Sequence, residues 1–319
     1  VSKLLSFILM TLLLAPASTD HKYVITHYNI TFAPDLSNRV NPKLYKRPLN
    51  DVDLLNIITT NLYPTILNEK RSQYQQDKLL VDFMNKGLIG AFNIQTDKLS
   101  IDFEFPTQLE RINYVLMSKP PKRTLGQDIA KMNKEFNRVY GNVIKNNVGA
   151  DVWTYFDQGI NDENVLQDEK PKQGEGFTYV NHYRNILILP TDGYVEAGIF
   201  GKGYDLAQET INRFRSAFLK SGETDLQKFY RKNSIYHIKP AHNPRLKNLE
   251  VLVMEMYDRS LTPSGSATVH PTDMEIMKIF WSDWLHKSGV KHFELHPIVN
   301  SRNEAQKIIL NFMNISKPN

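Results

Sequence analysis

The chain has 319 residues, with 39 Lys and Arg against 34 Asp and Glu for a formal charge of +5, and no cysteine. Without cysteine there is no disulfide stapling and no thiol chemistry, so stability must come from an ordinary packed core. The basic residues are scattered along the chain, which argues against a nucleic-acid footprint.

Residues 1–17 read as a cleavable secretory signal. Lys3 gives a positive start, Leu4 to Leu14 an apolar run, and Ala15-Pro16-Ala17 a small-x-small cleavage site. The run is shorter than the about 20 residues a spanning helix needs. We therefore expect an exported chain, periplasmic or extracellular, with no transmembrane segment in its mature part. Lack of cysteine suits a bacterial envelope better than a eukaryotic secretory route, which makes the Asn29-Ile30-Thr31 and Asn314-Ile315-Ser316 sequons chance occurrences. Residues 18–319 are long enough for one large α/β domain or two smaller ones.

Strand-like and helix-like segments alternate through the mature part. Lys22 to Ala33 is rich in β-branched and aromatic residues and reads as a first strand. After an irregular stretch, Asn50 is placed to cap a helix bearing Val52, Leu55, Ile57, Ile58 and Leu62. Asp77 to Phe83 and Leu99 to Phe105 read as short strands, and Gln108 to Met117 as a helix stopped by Lys119-Pro120-Pro121. Thr124 opens a helix with Leu125, Ile129, Met132, Phe136 and Val139 at helical spacing. A further helical piece carries Trp153, Tyr155 and Phe156, and the polar stretch 161–176 reads as a flexible surface connection.

Asn185 to Pro190 is a continuous apolar run of the kind buried on both faces of a parallel sheet. A helix follows from Asp205 to Leu219, then a buried strand from Leu249 to Tyr257. Asp273 to Lys287 is an amphipathic helix, Val290 to Leu295 a last strand, and Ser301 caps a final helix running to Phe312. This order predicts a single Rossmann-like, doubly wound α/β domain over residues 18–319, with a mostly parallel sheet and helices on both faces. In such sheets the functional site lies beyond the carboxyl ends of the strands, where the strand order reverses. That points to Asp35-Leu36-Ser37 after the first strand and Thr191-Asp192-Gly193 after the long apolar one.

On these residues the chain resembles the von Willebrand factor A-type domain family. Members carry Asp-x-Ser-x-Ser after the first strand, a Thr in a later loop, and an Asp, often as Thr-Asp-Gly, after the fourth major strand. Asp35-Leu36-Ser37-Asn38-Arg39, Thr124 and Thr191-Asp192-Gly193 fall where those motifs belong. The resemblance implies a metal-ion-dependent adhesion site. Ser37 and Thr124 would be hydroxyl ligands, and Asp35 and Asp192 would hold the ion or its waters. The ion would be Mg²⁺ or another divalent cation, which takes oxygen ligands and leaves a position open for an acidic group on a protein partner. The departure is Arg39, standing where the family has its second Ser. A guanidinium beside two carboxylates can replace a cation by pairing with them. The plainer reading makes Asp35, Asp192 and Thr124 helix caps.

The function implied is an exported binding or assembly module. Two rivals stand beside it: an exported hydrolase using carboxylates and histidines at the same edge, and a metal-free scaffold. Six histidines between His237 and His296 lack zinc-site spacing and read as structural. Gly198, Gly201 and Gly203 lack the spacing of a phosphate-binding loop and read as a loop beside Asp192. Trp281, Trp284, Phe280 and Ile276 read as core.

Overall fold

The computed structural model describes residues 22–71, 74–116, 123–146, 148–174, 177–195 and 205–315. The signal sequence, the Lys119-Pro120-Pro121 stop and the 198–203 glycine loop lie outside the described residues.

The strands are β1 (Lys22–Phe32), β2 (Lys78–Val81), β3 (Ser100–Asp102), β4 (Lys172–Gly174), β5 (Phe177–Pro190), β6 (Leu249–Met256) and β7 (His292–Pro297). The helices are α1 (Asp51–Asn61), α2 (Gly87–Ala91), α3 (Gln108–Leu116), α4 (Leu125–Asn146) and the short α5 (Val152–Thr154). They continue as α6 (Gln208–Ser221), α7 (Leu226–Lys232), α8 (Asp273–Lys287) and α9 (Arg302–Phe312). Local chemistry sets several of their ends. Asn50 and Asp53 form a capping box on α1, Thr272 and Glu275 another on α8, and Ser301 caps α9.

The sheet runs β3-β2-β1-β5-β6-β7, with β4 folded back onto β5. Four pairs are parallel, and β2/β3 and β4/β5 are antiparallel. Helices cover both faces, as the α/β pattern requires. Ile30, Phe32, Ile186, Ile188, Leu252 and Met254 pack with α1, α4 and α9. Leu187, Leu189, Val251 and Val253 belong to the other core, with Trp281, Trp284 and Phe214. Strand β6 is buried along its whole length because both of its faces are covered.

Two stretches depart from expectation. Strand β5 begins at Phe177, not Asn185, and pairs with β1 from Lys22↔Thr178 to Phe32↔Ile188. The polar stretch after α5 is pinned to the sheet. Asn164 and Val165 are buried, and Asn164 donates to Thr31 and Asp82.

Strand β1 feeds β2 on one side, whereas β5 feeds β6 on the other. The order therefore reverses between β1 and β5, and their carboxyl ends diverge to open a crevice.

Candidate functional site

The backbone beyond β1 and β5 stays laddered, and this fixes the two acidic positions. Asp35 donates its N–H to the Pro190 carbonyl at 2.9 Å, Thr191 donates to Met254 at 2.9 Å, and Tyr257 donates to Asp192 at 3.0 Å. Asp35 and Asp192 are thus held on neighbouring strand ends at the reversal point, as expected from the sequence.

Both carboxylates are buried and fully engaged. Asp35 accepts the Ser37 N–H at 3.1 Å on Oδ1 and the Thr191 hydroxyl at 2.8 Å on Oδ2. Asp192 accepts the Tyr194 N–H at 3.2 Å on Oδ1 and Arg259 Nη2 at 3.0 Å on Oδ2. Burial pushes the Asp192 carboxyl above the ordinary range, and the Asp35 charge adds to the push, while Arg259 and Arg39 pull against it.

Each carboxylate has its own guanidinium. Arg39, 1% exposed, donates Nε to the Asp35 carbonyl at 2.5 Å and Nη2 to Asp51 Oδ2 at 2.7 Å. Its Nε also lies 3.9 Å from Asp35 Oδ2. Burial alone would depress this guanidinium, but Asp51 and Asp35 outweigh burial and raise it above its ordinary value. Arg259 spends one nitrogen, Nη2, on both Asp192 and the Tyr45 hydroxyl, the latter at 2.7 Å. Its plane lies over the Tyr194 ring at 3.6 Å.

These groups line a cavity of about 680 Å³ whose walls include Ser37, Tyr45, Lys86, Tyr155 and Tyr194. Ser37 is half-buried at its rim and makes no side-chain cap bond with the short turn that follows. Lys86 bridges back to Asp82 at the end of β2, which Tyr155 also reaches through its hydroxyl at 2.9 Å.

Thr124 is not part of this constellation. It caps α4 in a reciprocal pair with Gln127, at 3.1 and 3.3 Å, which is the plainer of its two readings. Arg123 beside it lies 5.8 Å from the Phe105 ring, just past β3, whose end at Asp102 pairs with Lys78 at the start of β2. That is the amino edge of the sheet. Tyr140, by contrast, feels Asp51, Arg47 and Arg39 at the carboxyl edge. At 1.5 Å per residue, roughly 24 Å of helix separate Thr124 from that turn.

The donor set does not suit a divalent cation. With Thr124 removed, the remaining oxygens are Ser37 and two carboxylates already bonded, and two guanidiniums stand where a cation would bring its charge. Among the described residues no group of three or more His, Asp or Glu could hold a metal ion. Among the described residues no histidine lines the cavity either. His237 bonds the Tyr230 carbonyl, His292 stacks on Phe312 and His296 bonds Glu294.

Arg259, Asp51, Tyr45 and Lys86 were not singled out in the sequence. Arg259 was within reach of the same rule that found Asp192, because it follows the buried strand β6 at its carboxyl end. No known protein-family profile and no curated protein matches the chain.

Proposed function

We propose that the protein is an exported binding or assembly module of von Willebrand A-like type, which recognises a protein partner at the carboxyl edge of its sheet. The observation that carries this is the meeting of Asp35 and Asp192, with their arginines, in one cavity at the point where the strand order reverses. Ligand sites in open α/β sheets form there because diverging loops leave a crevice that side chains can line. The cavity is large enough to take several side chains of a partner, and its walls mix aromatic surface with fixed charge. No helix among the described residues is long and apolar enough to cross a membrane.

Site-specific photo-crosslinking tests the reading. A benzoylphenylalanine at Asn38 or Gln158, both exposed on the cavity wall, should yield one discrete partner adduct in the native cell envelope. The same probe at exposed Glu104, at the amino edge, should yield none. Equal adducts from all three positions, or adducts from Glu104 alone, would place recognition elsewhere.

A further inference from the structure

The charges lining the cavity are balanced by count but not by access. Asp35 and Asp192 expose only 3% and 9% of their side chains, whereas Arg259 exposes 26% and Lys86 46%. Asp82, the partner of Lys86, is likewise withdrawn at 9%. Asp151 lines the wall too, yet its two oxygens are taken by the Thr154 N–H and hydroxyl. A ligand entering the cavity therefore meets cations first. The carboxylates lie behind them and fix where they point.

Arg259 is built for this task. The Asp192 bond and the Tyr45 bond both fall on Nη2, so neither engages Nη1, and the buried Nε has no hydrogen-bond partner among the described residues. Stacking on Tyr194 holds the plane still, so binding would cost little side-chain entropy. Leu44, Met84 and Val148 line apolar parts of the same cavity, which lowers the local dielectric and strengthens a charged contact.

We infer that the cavity receives an anionic group of its ligand directly on Arg259 and Lys86, without a bridging divalent cation. This rests on the carboxyl-edge recognition proposed above and names the chemistry of what is recognised. Arg39 and Arg259 supply the positive charge that a metal ion would otherwise bring. The shared ligand chemistry is an oxyanion, carried by a carboxylate or a phosphate group.

The test is a titration of the full chain in EDTA with citrate, inorganic phosphate or, as a cationic control, ethylammonium at matched ionic strength. The Arg259 side-chain N–H resonance and the thermal midpoint are followed together. One of the two anions should shift both in a saturable way, and the tighter one identifies the ligand group. Arg259→Gln should weaken that binding about tenfold, and Lys86→Gln, at the more exposed of the two cations, about threefold. Addition of Mg²⁺ should change nothing. Binding that appears only with Mg²⁺, binding of ethylammonium instead, or binding indifferent to both variants would overturn the inference. The partner crosslink is read separately. An anion result without a partner adduct would sink the recognition reading alone, and the reverse would sink this one alone.

Discussion

The Thr191 hydroxyl donates to Asp35 Oδ2 at 2.8 Å, tying the end of β5 to the end of β1 across 156 residues of sequence. Both groups are buried, so the bond is formed where no water can replace it. Thr191→Val keeps the shape of the side chain and removes the donor to Asp35 together with the weaker acceptor of the Gly193 N–H at 3.2 Å. The Asp35 carboxylate would then be left short of a partner, at a cost of about 1–3 kcal/mol. Urea unfolding of the variant should show that loss with an unchanged denaturant slope; a loss below about 0.5 kcal/mol would mean the bond contributes little.

Arg39 carries more, because it sits between two carboxylates that have no other strong cation. Arg47 approaches Asp51 only to 3.6 Å. Arg39→Met leaves Asp35 and Asp51 buried without their main counter-charge, and we expect about 3–5 kcal/mol of destabilisation. Removing Asp51 as well, in Arg39→Met with Asp51→Leu, should recover part of it, since a paired loss strands one charge fewer. A double variant less stable than the single one would show that the network is not held by this pair.

Glu255 gives the fold a pH dependence of its own. It is buried at a backbone φ of 67°, in the irregularity between Val253 and Met256, and accepts the Val299 N–H at 3.2 Å. Burial pushes its carboxyl up to about 7, from an ordinary 4.5. Between those values the folded state keeps the proton that the unfolded chain has released, so stability falls as pH rises. The contribution is fully present below the ordinary value, is lost by the time the pH passes the folded one, and amounts to about 1.4 kcal/mol for each unit of separation. Glu255→Gln cannot ionise and should flatten the profile between about pH 4.5 and about pH 7. A variant that keeps the wild-type slope would assign the dependence to other groups.

Thr124 offers a direct check on the geometry. As a helix cap at the amino edge, its replacement by Ala should cost about 1 kcal/mol of stability. Resonances of Arg259 and Ser37 should stay where they are. Shifts at the carboxyl edge in Thr124→Ala would restore it to the site.

What could be read from the sequence follows from where the physics is local. Period and capping are local, so Asn50 and Ser301 marked their helices, and the apolar run from Asn185 marked a buried strand. The reversal rule then found Asp35 and Asp192 without any contact information. Thr124 escaped because its end of the sheet depends on a strand direction. Strand β3 runs antiparallel to β2, so the chain leaves it at the amino edge, and α4 must climb back. Nothing in Leu99 to Phe105 reveals that direction. The first half of β5 escaped for another reason: Phe177 to Arg184 mixes aromatic and polar residues, and only pairing with β1 over its full length makes it a strand.

Gly193 closes the turn that aims Asp192. Its φ of +86° lies in the left-handed region, and an added Cβ would come within 3.0 Å of Met256 Cε and 3.1 Å of Met277 Sδ. Both methionine contacts are side-chain tips and can yield, but the backbone cannot relax so easily, because Trp281 Nε1 donates to the Gly193 carbonyl at 2.8 Å. Gly193→Ala should therefore destabilise by about 1–2 kcal/mol through backbone conformation alone. It should also loosen Asp192 from Arg259, since the Tyr194 N–H that steadies Asp192 lies one residue further on. The two effects separate in measurement. Thermal unfolding reads the first, and broadening of the Arg259 side-chain N–H resonance reads the second. Stability that falls while that resonance stays sharp would show that the turn supports the fold without positioning the acid.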